Sequence, residues 1–143
     1  MQTGYHTKHM AIQDYLSLSN QKIAIAGAGV TGRAVAKALV ARGAEVFFIE
    51  DAFSDLEGYI LVNSHKVKAS DFDALMISPG WRDDHHIVTM ARENNKQILN
   101  EIDFAWALKR ELAPSQKWLA LTGTNGKTTT VELVAHILHR SVS

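Results

Sequence analysis

The stretch KIAIAGAGVTGRAVAKALVARGAEVFFIED, residues 22–51, decides the fold. It opens with a short apolar run, turns through G-A-G-V-T-G at residues 27–32, and continues with small and apolar residues at helical spacing up to Gly43. The periodicity places Val30, Ala34 and Ala38, and then Val35 and Leu39, on one helical face. A second apolar run rich in β-formers follows and ends in Glu50 and Asp51, as a buried parallel strand does. Strand, turn, helix and strand together predict one βαβ unit.

Working outward, the grammar repeats. GYILVN holds a short third strand, DALMISPG a fourth closed by Pro79 and Gly80, DHHIVTMAREN a helix, and KQILN a fifth strand. Alternating strands and helices predict an α/β fold: a Rossmann-like, mostly parallel sheet with helices on both faces. EIDFAWALKREL, from residue 101, predicts a helix with Ile102, Ala105, Trp106 and Leu108 near one face, broken at Pro114. A domain boundary is expected there, giving a lead-in at residues 1–10, a Rossmann-like domain at 11–113 and the start of a second domain at 114–143. The lead-in, MQTGYHTKHM, has no periodicity and is expected to be flexible.

The first glycine loop sits where a G-x-G-x-x-G is informative, after a strand and opening a helix. Gly27 permits the tight turn, Gly29 the close approach of a ligand or backbone, and Gly32 the packing of helix on strand. The helix N-terminus offers N–H groups and a positive dipole end to a phosphate. Glu50 and Asp51 stand about 20 residues on, where an acidic residue takes a ribose hydroxyl. The alternative is a tight turn without a ligand, and the pattern names a nucleotide without saying which.

A second glycine loop, TGTNGKTTT at residues 122–130, follows the apolar run KWLAL and precedes VELVAHILHR, which are expected to form the first strand and helix of a phosphate-loop domain. Its glycines are two residues apart where the usual phosphate loop asks for four, but the chemistry survives. Gly123 and Gly126 let the backbone curl its N–H groups toward phosphate oxygens, with Thr124 and Asn125 between them. Lys127 neutralises phosphate charge, Thr128 is placed to hold Mg²⁺ through its hydroxyl, and Thr129 adds a donor. A threonine-capped helix is the bland reading.

Composition bounds the partners. The chain has 143 residues, room for about one ordinary domain of 100–200 residues, with 15 basic and 15 acidic side chains. That balance, with dispersed basic residues, gives no field to draw in nucleic acid or an anionic membrane. Cysteine is absent, which excludes disulfides, thiolate metal sites and a cysteine nucleophile. No apolar run reaches the length of a membrane span, and the chain reads as cytoplasmic. His85 and His86, beside Asp83 and Asp84, are expected to form a polar cap rather than a metal site. His136 and His139 are expected at a helix C-terminus, and Trp81, Trp106 and Trp118 in packing.

Together TGTNGKTTT, GAGVTGRAVAKALVARGAEV, SPGW and NEIDFAW resemble the Mur ligases of peptidoglycan synthesis, and among them the D-glutamate-adding branch. The likeness runs from about Lys22 to about Arg140. It implies that the first domain binds the UDP part of a sugar nucleotide, UDP-N-acetylmuramoyl-L-alanine, which displaces NAD as the favoured ligand. Gly27, Gly29, Val30, Thr31 and Gly32 would lie against the diphosphate, Glu50 and Asp51 near the uracil or ribose, and Ser78 and Gly80 at the border of the same pocket. Asn100 and Glu101 fall in a family-like segment without an assigned contact. The resemblance also implies ATP and Mg²⁺ at Gly123 to Thr129, with Lys127 and Thr128 as the catalytic positions and Thr128 as metal ligand. ATP would activate the substrate carboxylate as an acyl phosphate, and D-glutamate would attack it.

The departure from that family is length: a member would continue for about 300 further residues on domain-size grounds. This chain by itself is therefore expected to be inactive but able to bind UDP. Residues 117–140 are expected to dock on the first domain, to pair between chains, or to stay mobile. A free-standing NAD- or UDP-binding module is the alternative. The folylpolyglutamate synthase branch of the superfamily lacks an upstream Rossmann unit and fits less well.

Overall fold

In the computed structural model, residues 15, 17–52, 55–78 and 81–141 are described. The strands are β1 (Lys22–Ala26), β2 (Glu45–Ile49), β3 (Leu61–Val62), β4 (Ala74–Ile77) and β5 (Gln97–Asn100). The helices are α1 (Val30–Val40), α2 (His86–Glu93), α3 (Glu101–Leu112) and α4 (Lys127–Ser141). Two single-turn 3₁₀ helices, Ser64–Lys66 and Ala69–Asp71, lead from β3 into β4.

All five strands lie in one sheet in the order β3-β2-β1-β4-β5, and every neighbouring pair is parallel. β1 is central: Ile23 pairs in register with Val46 of β2 on one side and with Ala74 of β4 on the other. Parallel strands need crossovers, and these cover both faces, so each strand buries alternate residues in opposite cores. Ile23 and Ile25 pack with Phe48, Met76 and Leu99 against Val35, Ala36 and Leu39 of α1 and Phe104 and Ala107 of α3. Ala24 and Ala26 face the other way, with Phe47, Ile49 and Leu75, onto Ile87, Val88 and Ala91 of α2.

Two helical faces differ from the expected ones. On α1 the buried set is Gly32, Val35, Ala36 and Leu39, while Val30 and Ala34 are exposed. On α3 it is Phe104 and Ala107, with Leu108 partly buried, while Ile102 and Trp106 face outward. In both helices the buried stripe follows i, i+3, i+4 spacing, starting from Gly32 on α1 and from Phe104 on α3. Trp106 is instead met edge-on by Trp118, with ring centroids 5.4 Å apart.

The expected sixth strand is not formed. Residues 117–121 have no sheet partner, because a strand exists only through its ladder. Beyond Pro114 every described residue to 140 except Val134 is exposed, including Leu119, Leu133 and Ile137. Of the three fates expected for residues 117–140, burial against the first domain is not what the structure shows, apart from the contact of Trp118 with Trp106. α4 forms as expected after the second glycine loop.

Candidate functional site

The two halves of the sheet part at β1 and β4. The chain leaves β1 for β2 on one side and reaches β4 on the other, so the crevice beyond their C-terminal ends is the topological switch point, where open α/β sheets bind ligands. A cleft of about 290 Å³ lies there. Of the predicted site residues, Gly27, Gly29, Val30, Thr31, Gly32 and Ser78 all line it.

The glycine loop builds the cleft in three distinct ways. Gly27 has φ +94°, a conformation that strains side-chain-bearing residues, and its N–H donates to Ile49 O at 2.9 Å. A β-carbon on Gly32 would lie 2.2 Å from Gly27 O, so only glycine lets α1 sit this close to the turn. Gly29 is different: nothing stands within 4 Å of its would-be β-carbon. No packing reason accounts for that glycine, and the space it leaves opens into the cleft. The first turn of α1 carries no acidic residue and Gly29 provides no side-chain cap, so the amides of that turn and the dipole end stay available to an anion.

Glu50 and Asp51 are not part of the cleft lining. Glu50 Oε2 accepts the Ala28 N–H at 3.1 Å, and Oε1 accepts those of Asp51 and Ala52, each at 2.9 Å. Its carboxylate holds the glycine loop to the end of β2. Asp51 accepts from the Ser64 N–H at 2.8 Å and the Ser64 hydroxyl at 2.6 Å, bonds that hold its carboxyl below the usual range. Both acids therefore shape the rim. Gly80 lies outside the described residues, as does the lead-in at 1–10.

Sequence reasoning assigned no contact to Glu101, yet it completes the cleft wall opposite the glycine loop. It is the first residue of α3, placed by Asn100, whose Oδ1 accepts the N–H groups of Ile102 at 2.8 Å and Asp103 at 3.1 Å. Burial pushes the Glu101 carboxyl above its ordinary value. The available signal was an acid one residue past a strand end in a fold that binds ligands at strand ends.

Beside the rim, His85 caps α2 as expected, its Nδ1 accepting the Ile87 N–H at 3.4 Å. His86 stacks on His65 at 4.8 Å, and Trp81 meets His85 edge-on at 4.5 Å. Among the described residues no group of three or more His, Asp or Glu side chains is arranged to hold a metal ion.

The second glycine loop is exposed throughout. Gly126 has φ +76°, and the Thr130 hydroxyl and N–H both donate to its carbonyl at 2.9 Å. The Lys127 ammonium donates to the carbonyls of Gly123 and Thr124, so it lies across its own loop. Thr128 and Thr129 follow in the first turn of α4.

A five-stranded parallel sheet in this order, with a glycine loop at its switch point, defines a Rossmann-like α/β fold. No protein-family profile matches the chain. Curated relatives do. The protein named "UDP-N-acetylmuramoylalanine--D-glutamate ligase" from Thermobifida fusca is 31% identical over 134 residues, 86% of this chain and 28% of the relative. Proteins of the same name from Agrobacterium fabrum and Rhizobium etli are 34% and 35% identical, covering 87% and 85% of this chain. By these matches the chain belongs to the D-glutamate-adding Mur ligase family, and it spans less than a third of its relatives' length. Among solved structures, a dehydrogenase from Rhizobium meliloti aligns with a TM-score of 0.43 at 25% identity, over 59% of this chain and 28% of that one.

Among the described residues no helix is long and apolar enough to cross a membrane.

Proposed function

We propose that this chain is the UDP-binding part of an ATP-dependent ligase that joins D-glutamate to UDP-N-acetylmuramoyl-L-alanine, and that on its own it binds the nucleotide without forming the amide. The observation that carries the reading is Gly29. It opens the switch-point cleft at the bare N-terminus of α1, in a chain whose relatives are named for a UDP-linked substrate. The diphosphate takes the amides of the first turn of α1, and the Thr31 and Ser78 hydroxyls add polar contacts on either side.

The rim does not discriminate against the free-standing NAD-binding alternative. The acids at the end of β2 would meet the ribose of either ligand, so the preference for UDP rests on relatives named for a UDP-linked substrate. The folylpolyglutamate synthase alternative is disfavoured by the complete sheet preceding residue 114.

For the second loop, the residues present suit a phosphate group: curled backbone, a lysine and a helix N-terminus. Bound ATP would supply the phosphoryl group that activates the substrate carboxylate. Lys127 would exchange its carbonyl partners for phosphate oxygens and hold their charge in place. Thr128 would provide one oxygen of the roughly six that Mg²⁺ requires, and the others would come from water, nucleotide or other residues.

Calorimetric titration of the 143-residue chain with UDP and with NAD tests the reading. Saturable UDP binding with NAD at least about tenfold weaker, a difference of about 1.4 kcal/mol, is expected. Preference for NAD would overturn it.

A further inference from the structure

The order β3-β2-β1-β4-β5 sets chemistry out in a line along one edge of the sheet. The amide cradle follows β1, Ser78 follows β4, and Glu101 follows β5. A ligand whose diphosphate sits in the cradle, with its nucleoside toward β2, must therefore send whatever is attached to the distal phosphate toward β4 and β5. Glu101 waits at that end.

Three features of Glu101 stand out. It is the sole ionisable side chain among the described residues lining the cleft, the rest being glycine, apolar or hydroxyl-bearing. Its carboxylate has no hydrogen bond or ion pair among the described residues, whereas the nearby Asp103 carboxylate accepts from Tyr15 at 3.2 Å and from the Asn100 amide at 3.0 Å. It is also partly withdrawn from solvent. A partly desolvated carboxylate without a partner accepts hydrogen bonds from neutral donors and repels phosphate.

We propose that Glu101 is a specificity residue, whose carboxylate accepts hydrogen bonds from the hydroxyl or amide donors of a sugar on the distal phosphate, so that the cleft prefers a sugar-capped nucleoside diphosphate to a bare one. This deepens the UDP-binding reading and rests on it. The carboxylate does two things at once. It rewards a donor-rich, uncharged group at the β5 end, and it penalises a terminal phosphate placed there.

The test is calorimetric titration of the full chain with UDP and with UDP-N-acetylmuramoyl-L-alanine, for the wild type, E101A and E101Q, with each variant's thermal midpoint measured alongside. The wild type is expected to bind the sugar-capped ligand about tenfold tighter than UDP, the scale of one hydrogen bond to a charged group. E101A should bring the two affinities within about twofold, leaving UDP binding unchanged or tighter, since a repelling charge is gone. E101Q, nearly the same shape with one acceptor oxygen kept, should retain a reduced preference, and it supplies the comparison if E101A does not fold. A wild type indifferent to the sugar, or an E101A variant that weakens both ligands equally, overturns the proposal while leaving UDP binding intact. Binding of neither ligand to the wild type overturns the UDP reading and this proposal together.

Discussion

The carbonyl oxygen of Gly27 lies 2.2 Å from where a β-carbon on Gly32 would be built, whereas the same construction on Gly29 meets nothing within 4 Å. One loop thus holds a glycine required by the fold and a glycine spared for a ligand. Gly32→Ala must push α1 away from the turn and should lower the unfolding free energy by about 3 kcal/mol, the upper range for overpacking. Urea denaturation followed by circular dichroism measures it, and a loss under about 0.5 kcal/mol would show that α1 is free to shift.

Gly29→Ala should do the reverse. Its φ of −67° suits alanine, so stability should stay within about 0.5 kcal/mol of the wild type. UDP affinity should nevertheless fall about tenfold or more, because a methyl group occupies space the phosphate needs. Unchanged affinity would place the diphosphate elsewhere.

Phe48 is fully buried at the centre of the α1 and α3 face, meeting Tyr59 edge-on at 5.1 Å. Phe48→Ala should cost about 3–5 kcal/mol, as aromatic truncations in packed cores do. That is a large share of the stability of a domain this size, so the variant should be partly unfolded at 37 °C by circular dichroism.

Tyr15 is buried and donates its hydroxyl to Asp103 at 3.2 Å. Burial first, then the Asp103 carboxylate, pushes the phenol from 10.0 up to about 12. A group whose pKa is raised in the folded state contributes stability that is complete below the unfolded value and lost as pH rises through the folded one. Stability should therefore decline between about pH 10 and 12, and Tyr15→Phe should flatten that part of the profile. An equally steep decline in the variant would assign the alkaline limb to other groups.

Lys127→Ala should leave UDP affinity of this chain unchanged, since the lysine bonds only within its own exposed loop. In a chain extended to the relatives' full length, the same substitution should depress turnover about 10²- to 10³-fold, the scale of a lost transition-state donor. Equal losses of turnover and of UDP-sugar binding would remove the role proposed for it.

The acidic pair at the end of β2 shows where motif reading stops. Spacing put Glu50 and Asp51 near the uracil or ribose, and the structure adds bonds that spacing does not announce. The folded chain brings the amide of Ala28 to Glu50, beside those of Asp51 and Ala52, and the amide of Ser64 to Asp51. Ser64 is 13 residues from Asp51 and carries no motif, so nothing local announces the bond. Glu101 is the complementary case: an ordinary acid in sequence that the sheet order carries to the cleft.

By itself, the sequence determined the parallel α/β fold, the position of both glycine loops and the family likeness. Each of these rests on short-range information: alternation of apolar runs, glycine at turns, and residues at fixed offsets. Only the tertiary structure decided which faces of α1 and α3 are buried, that KWLAL finds no ladder, and that Glu101 lines the cleft. Those outcomes depend on contacts between segments far apart in the chain, whose competition for the same buried space and the same hydrogen-bond donors has no local signature.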